Sequence, residues 1–152
     1  AACAKNVQEK VLEIILKKQA QNEAAEFVRK FIADLRQRKV PYKDLVIWKT
    51  LTKKVEEYEV KAPHVEAAKI LLKEGWELSM GDKIGYVITV GLGKLYEKAK
   101  PYFLETYDKI DVEYYATNQV VPAASRILAM FNISEDKLLP STEAKPRTLN
   151  QF

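Results

Sequence analysis

Apolar positions recur at helical spacing through the first quarter of the chain, then give way to short β-branched runs. Residues 5–18 (KNVQEKVLEIILKK) set Val7, Val11, Ile14 and Ile15 on one side, with Leu12 at its edge, and predict an amphipathic helix. A polar break at residues 19–22 follows, and Gln21 or Asn22 opens a second helix. Over 23–38 that helix places Ala24, Phe27, Val28, Phe31, Ile32 and Leu35 on its apolar face. So short a break predicts that the two helices pack antiparallel. Val40-Pro41 then stops the second helix, because proline disfavours helical backbone at the residue before it.

Residues 45–51 are apolar and β-branched and read as a short strand. Pro63 suits the first position of a helix running to about Glu74, with Gly75 as its C-terminal stop. Gly81-Asp82 reads as a turn into 83–90 (KIGYVITV), the clearest strand, which Gly91 and Gly93 end. Residues 94–110 read as irregular and rich in Lys and Tyr. Asp111 then serves as N-cap of a long helix over 112–131, which Pro122 should bend or restart. From Pro140 onward the composition is that of a tail, and no internal repeat is visible. The expected fold is α-rich α+β: an antiparallel helix pair, a few short strands too far apart for an extended sheet, and a long C-terminal helix.

Composition narrows the function classes. At 152 residues and 47% hydrophobic content the chain can bury one substantial core, so a single domain is the default. A net charge of +4 favours an anionic partner. The charge concentrates in 29–43, where Arg29, Lys30, Arg36, Arg38, Lys39 and Lys43 face Asp34 alone; this reads as a solvated helix face or as an electrostatic footprint. The single cysteine, Cys3, makes no internal disulfide, and no Cys/His spacing suits zinc. No apolar run approaches the ~20 residues that span a bilayer, and no signal-peptide pattern opens the chain, so a soluble, cytoplasmic protein is expected. Lys-, Glu- and Ile-rich usage with 5 glycines leans thermophilic. The absence of a Ser/His/Asp arrangement and of a phosphate-binding glycine loop argues against an independent enzyme.

The segment 46–74 (VIWKTLTKKVEEYEVKAPHVEAAKILLKE) holds the most informative pattern. Through Thr52-Lys53, Glu57-Tyr58, Pro63-His64-Val65 and Ala67-Ala68-Lys69 it resembles the thumb region of archaeal family B DNA polymerases. Three further segments agree in order and spacing. Ala4-Lys5 through Leu16-Lys17 resembles the first thumb helix, and 81–88 resembles the family's Gly-x-x-Ile-x-Tyr-Ile-Val strand. Most specific is 111–128, DVEYYATNQVVPAASRIL, against Asp-Ala-Glu-Tyr-Tyr-x-x-Asn-Gln-Val-Leu-Pro-Ala-x-x-Arg-Ile-Leu. The resemblance covers roughly 4–139 and implies a thumb domain over 1–139 followed by a tail, 140–152. The palm signature tyrosine-glycine-aspartate-threonine-aspartate does not occur, nor does an exonuclease acid motif. The resemblance therefore implies a thumb alone, the small subunit of a split polymerase or a C-terminal fragment, with no catalytic residues of its own. Mg and dNTP are then expected on a larger catalytic chain, and the complex is expected at the nucleoid.

A thumb holds the primer–template duplex without reading its sequence, so its contacts should go to phosphates. The resemblance places Thr52 and Lys53 at the duplex backbone, with Thr50, Tyr58, Lys61, His64 and Lys69 completing the DNA-binding set; the alternative for Lys61 and Lys69 is a purely solvated position. His64, the only histidine, would stand near a helix N-terminus, which also favours an anion; the alternative is a partly buried histidine satisfied locally. Tyr58 is expected to pack with its hydroxyl free for a polar contact. Glu59 stands where relatives carry a basic residue, which removes that contact or moves it to Lys61, and Thr50 stands where they often carry glutamine. Tyr114, Tyr115, Asn118 and Gln119 suggest a stacking and hydrogen-bonding cluster, but the aromatics read as core and Asn118 as a structural bond or a subunit contact. In the tail, Leu149 and Phe152 have the spacing of a sliding-clamp peptide, although Pro146 replaces its glutamine. The catalytic chain should dock near Cys3 and Val7. The rival reading is an assembly module that bridges catalytic chain and clamp without gripping DNA.

Overall fold

Helix α1 spans Ala2–Lys18 and α2 spans Gln21–Arg36 in the computed structural model, which describes residues 1–18, 21–131 and 138. The break between the helices therefore falls partly outside the described residues, and so do Pro146, Leu149 and Phe152. Helix α1 buries Cys3, Val7, Val11 and Ile15, one residue per turn, and leaves Leu12 and Leu16 exposed. Burial of Cys3 and Val7 removes them as a docking face, a correction to the sequence expectation. Helix α2 buries Ala24, Val28, Ile32 and Leu35, while Phe27 and Phe31 are half-buried.

Helix α2 ends before Pro41 can act. Lys39 N–H donates to the Asp34 carbonyl (2.9 Å) and Arg38 N–H to that of Leu35 (3.0 Å), closing the helix with a left-handed residue. That residue is Arg38, at φ 59°, where glycine is the usual occupant.

The expected long helix is present in pieces. Helix α4 (Val112–Tyr115) runs into five π-helical residues, Ala116–Val120, and then α5 (Val121–Leu128). Pro122 explains the interruption: it has no N–H to continue the ladder, so the turn before it widens and α5 restarts with proline in its first turn. Helix α2 packs against α4, the π segment and α5. The Arg36 guanidinium forks onto the Glu113 carboxylate at 2.8 and 3.0 Å, and the Gln8 amide donates to the Ala123 carbonyl at 3.0 Å. Tyr115 is fully buried, as expected of a core aromatic. Residues Cys3–Val40 and the helical run from Val112 belong to one compact unit.

The second unit comprises Pro41–Asp111, with Ala1–Ala2. Its centre is an antiparallel sheet in the order β1 (Ile47–Thr50), β2 (Lys83–Ile88), β3 (Ala99–Pro101). Both expected strands form, and they are neighbours despite their separation in sequence: Trp48 lies opposite Gly85 and Thr50 opposite Lys83. Strand β3 lies in the stretch read as irregular. It is three residues long and ends in a proline, which an edge strand tolerates because no partner needs its N–H.

Helix α3 (Pro63–Lys73) packs on β2 and β3 and buries Val65, Ala67, Ala68 and Leu71. Pro63 opens it, and Gly75 closes it at φ 96°, with Gly75 N–H on the Leu72 carbonyl (3.1 Å) and Trp76 N–H on that of Leu71 (3.0 Å). A second brace comes from Tyr42, whose hydroxyl donates to the Tyr102 carbonyl at 2.7 Å. Desolvation, then the Glu105 charge, pushes this phenol up to about 12.

Candidate nucleic-acid interface

The loop between β1 and α3 carries most of the expected site. Leu51 anchors its start: the residue is buried, its N–H donates to the Asp82 carbonyl and its carbonyl accepts from Gly81 N–H, both at 2.8 Å. Val55 is buried further along, so the chain between them is pinned at two points while Thr52, Lys53 and Lys54 remain exposed.

Within this loop Tyr58 closes a small ring of contacts. Its hydroxyl accepts the Thr52 backbone N–H at 2.8 Å and lies 3.1 Å from the Thr52 hydroxyl. The Lys53 ammonium sits over the Tyr58 ring, 5.2 Å from the centroid. Hydrogen bonds from the Thr52 side chain, then its amide, with a smaller contribution from the Lys53 charge, hold the Tyr58 phenol below its ordinary value. An exposed hydroxyl and ammonium are thus fixed side by side on a packed aromatic, a pairing that supplies one hydrogen bond and one point charge to an anion.

His64 meets Tyr58 edge-on, at 5.8 Å between centroids and 89° between planes. Only 9% of it is exposed. Burial first, then the Lys49 charge, lowers its pKa, so the ring is neutral at pH 7. At this position α3 has no side-chain cap; Pro63 carries no N–H, Val65 is fully buried and Glu66 N–H donates to the Ala62 carbonyl at 3.0 Å, so the His64 N–H is the first-turn amide left for an anion.

Thr52, Lys53, Tyr58 and His64 are therefore brought together. Thr50 is exposed at the end of β1 and lines a hollow with Trp48, Lys49 and Lys83. Lys61 and Lys69 fall into a different grouping. The Lys61 ammonium lies over the Tyr96 ring (5.5 Å), whereas Lys69 pairs with Glu66 at 3.2 Å. Glu59 is exposed.

The basic stretch 29–43 is less bare than its composition: Arg29 pairs with Glu26, Lys30 with Asp34 and Arg36 with Glu113. The solvated-face reading accounts for these three. Gln119 donates to the Tyr114 hydroxyl at 3.3 Å, a local structural bond. Sequence reasoning missed Lys49, whose charge acts on His64, because it sits inside a segment read only as a strand. Among the described residues no helix is long and apolar enough to cross a membrane.

Comparison with known proteins bears on the same residues. Residues 1–131 match the family described as DNA polymerase family B. The chain is 49% identical to DNA polymerase 2 of Aeropyrum pernix over 135 residues, which is 89% of this chain and 17% of that protein. It is 39% identical to the DNA polymerase of Methanocaldococcus jannaschii over 149 residues, covering 98% of this chain and 9% of the relative. The solved family B DNA polymerase of Pyrobaculum calidifontis superposes with a TM-score of 0.75 at 43% identity, over 83% of this chain and 17% of that one. The chain thus spans a small part of the length of the proteins it matches.

Proposed function

This chain belongs to family B of the DNA polymerases, and we propose that it is the thumb of such an enzyme, gripping the primer–template duplex for catalytic groups carried on a separate chain. Membership is the coarse statement; the grip is argued from the loop between β1 and α3. Its hydroxyl–ammonium pair, Thr52 and Lys53, stands on Tyr58 beside the uncapped start of α3, and this single arrangement carries the reading. Lys53 would neutralise one phosphate and Thr52 would donate to the same or the next one. The His64 N–H at the uncapped start of α3 would take a further phosphate oxygen, while the His64 ring packs edge-on against Tyr58 and keeps it in place. None of these groups distinguishes one base pair from another, which suits a protein that must slide. Thr50 extends the same face along β1, and Lys61 and Lys69 add charge from a flank.

Grip supports synthesis only through chemistry supplied elsewhere, with Mg and dNTP held by the catalytic chain. A sliding clamp is a further proposed partner, through Leu149 and Phe152. The test has two arms. Affinity capture from the source lysate should recover a larger polymerase chain, and that chain's primer extension should be stimulated by this one. Lys53→Ala should reduce stimulation while leaving capture intact. Capture and stimulation that both survive Lys53→Ala and Thr52→Ala would replace grip with the bridging role of an assembly module.

A further inference from the structure

Four aromatic rings stand in series on the sheet-bearing unit: Trp48 to Tyr102 at 5.5 Å between centroids, Tyr102 to Phe103 at 5.2 Å, and Phe103 to Trp76 at 5.5 Å. Three of them are about half exposed: Trp48 at 54%, Trp76 at 55% and Phe103 at 47%. Scattered surface aromatics need no explanation, but a contiguous series of them marks a binding surface. The series is also built. Trp48 lies across Gly85 on the facing strand, and a Cβ there would come within 2.8 Å of the indole, so glycine provides the seat on which the ring lies flat.

Charge selects among possible occupants. The hollow beside Trp48 is lined by Lys49, Thr50 and Lys83, and the aromatic hollow itself again includes Lys83. No carboxylate lines either hollow among the described residues. Flat π surfaces flanked by ammonium groups complement a ligand with π faces and negative charge. A purely apolar peptide would leave both lysines without a counter-charge, and a duplex keeps its base faces inside the stack.

We propose that this aromatic shelf binds unpaired nucleic-acid bases by stacking, with Lys49 and Lys83 meeting the strand's phosphates. The site is distinct in chemistry from the duplex grip, which uses no base face. It adjoins that grip through Thr50, so a strand leaving the duplex could pass directly onto the rings.

The chain's two tryptophans, Trp48 and Trp76, are both on the shelf, so intrinsic fluorescence reports on it directly. The 152-residue chain is titrated with an oligothymidylate of about 20 nucleotides and with an abasic strand of equal length. The thymidylate should quench the emission and bind about 10-fold or more tightly than the abasic strand. Phe103→Ala, which keeps both reporters, should weaken thymidylate binding about 5-fold to 100-fold, with folding checked by circular dichroism. Trp76→Ala should behave likewise through the remaining tryptophan. Oligouridylate that binds as well supports the same shelf, because stacking does not use the sugar. Phe103→Ala should leave affinity for a fully paired duplex unchanged, so failure of the shelf and failure of the duplex grip are read separately. Equal affinity for the abasic strand, or a folded Phe103→Ala protein that binds normally, overturns the proposal. So does binding of a hydrophobic dye at the shelf with no response to oligonucleotide, which would assign the rings to a protein contact.

Discussion

The Tyr58 hydroxyl reaches back six residues to accept the backbone N–H of Thr52 at 2.8 Å, and the two side-chain oxygens lie 3.1 Å apart. Tyr58 and Thr52 thus hold each other across the loop through one amide and one hydroxyl contact. The loop is therefore set before any ligand arrives, which lowers the ordering cost of binding.

Tyr58→Phe removes both contacts and keeps the ring under Lys53. Loss of this bonding should lower the urea denaturation midpoint. Affinity for duplex DNA should fall through a faster off-rate, since Thr52 loses its fixed direction. Unchanged stability together with unchanged dissociation would show that the phenol does not organise the loop.

His64 gives stability a pH dependence of known sign. Its folded pKa lies below the ordinary histidine value, so between the two the unfolded state binds more protons than the folded one. Its contribution is full above the unfolded value of about 6.5 and is lost as pH falls through the folded one. As the only histidine, it is the one side chain of its type titrating there. Urea midpoints of the parent and His64→Gln proteins should diverge at pH 7 and converge toward pH 5. A constant difference would contradict the buried, neutral ring.

Arg38 occupies a left-handed position at the end of α2, a conformation that costs a non-glycine residue about 1–2 kcal/mol. Arg38→Gly should therefore stabilise the chain by about 1 kcal/mol, less whatever contacts the guanidinium makes. A denaturation midpoint that drops instead would show that those contacts outweigh the backbone strain.

Arg38 also shows where the sequence runs out. The apolar spacing of Ala24, Val28, Ile32 and Leu35 makes α2 legible, but a left-handed arginine has no compositional signal, and Pro41 was the visible stop. Strand β3 was missed because three residues carry no period, whereas Pro63, Gly75 and Pro122 act through backbone geometry and were legible at each place. The division into two compact units does not show in bulk composition, since each draws on residues distant in sequence. In the candidate site, Thr52, Lys53, Tyr58 and His64 were legible through the family pattern, and the structure groups them. Lys69 was grouped with them through the Ala67-Ala68-Lys69 match and Lys61 as the residue taking over from Glu59, but the structure sets both with other partners, Glu66 and Tyr96. Trp48 and Lys49 escaped notice because a strand pattern says which residues alternate but not which stand at an exposed edge.

The duplex grip itself is tested most directly by fluorescence anisotropy of a labelled primer–template duplex, titrated with the parent chain and with Lys53→Ala over a salt series. Loss of one phosphate contact should weaken binding at every sequence tried and reduce the slope of log affinity against log salt by about 1. Parent and Lys53→Ala chains with the same affinity and the same slope would contradict the grip, and with it the thumb reading.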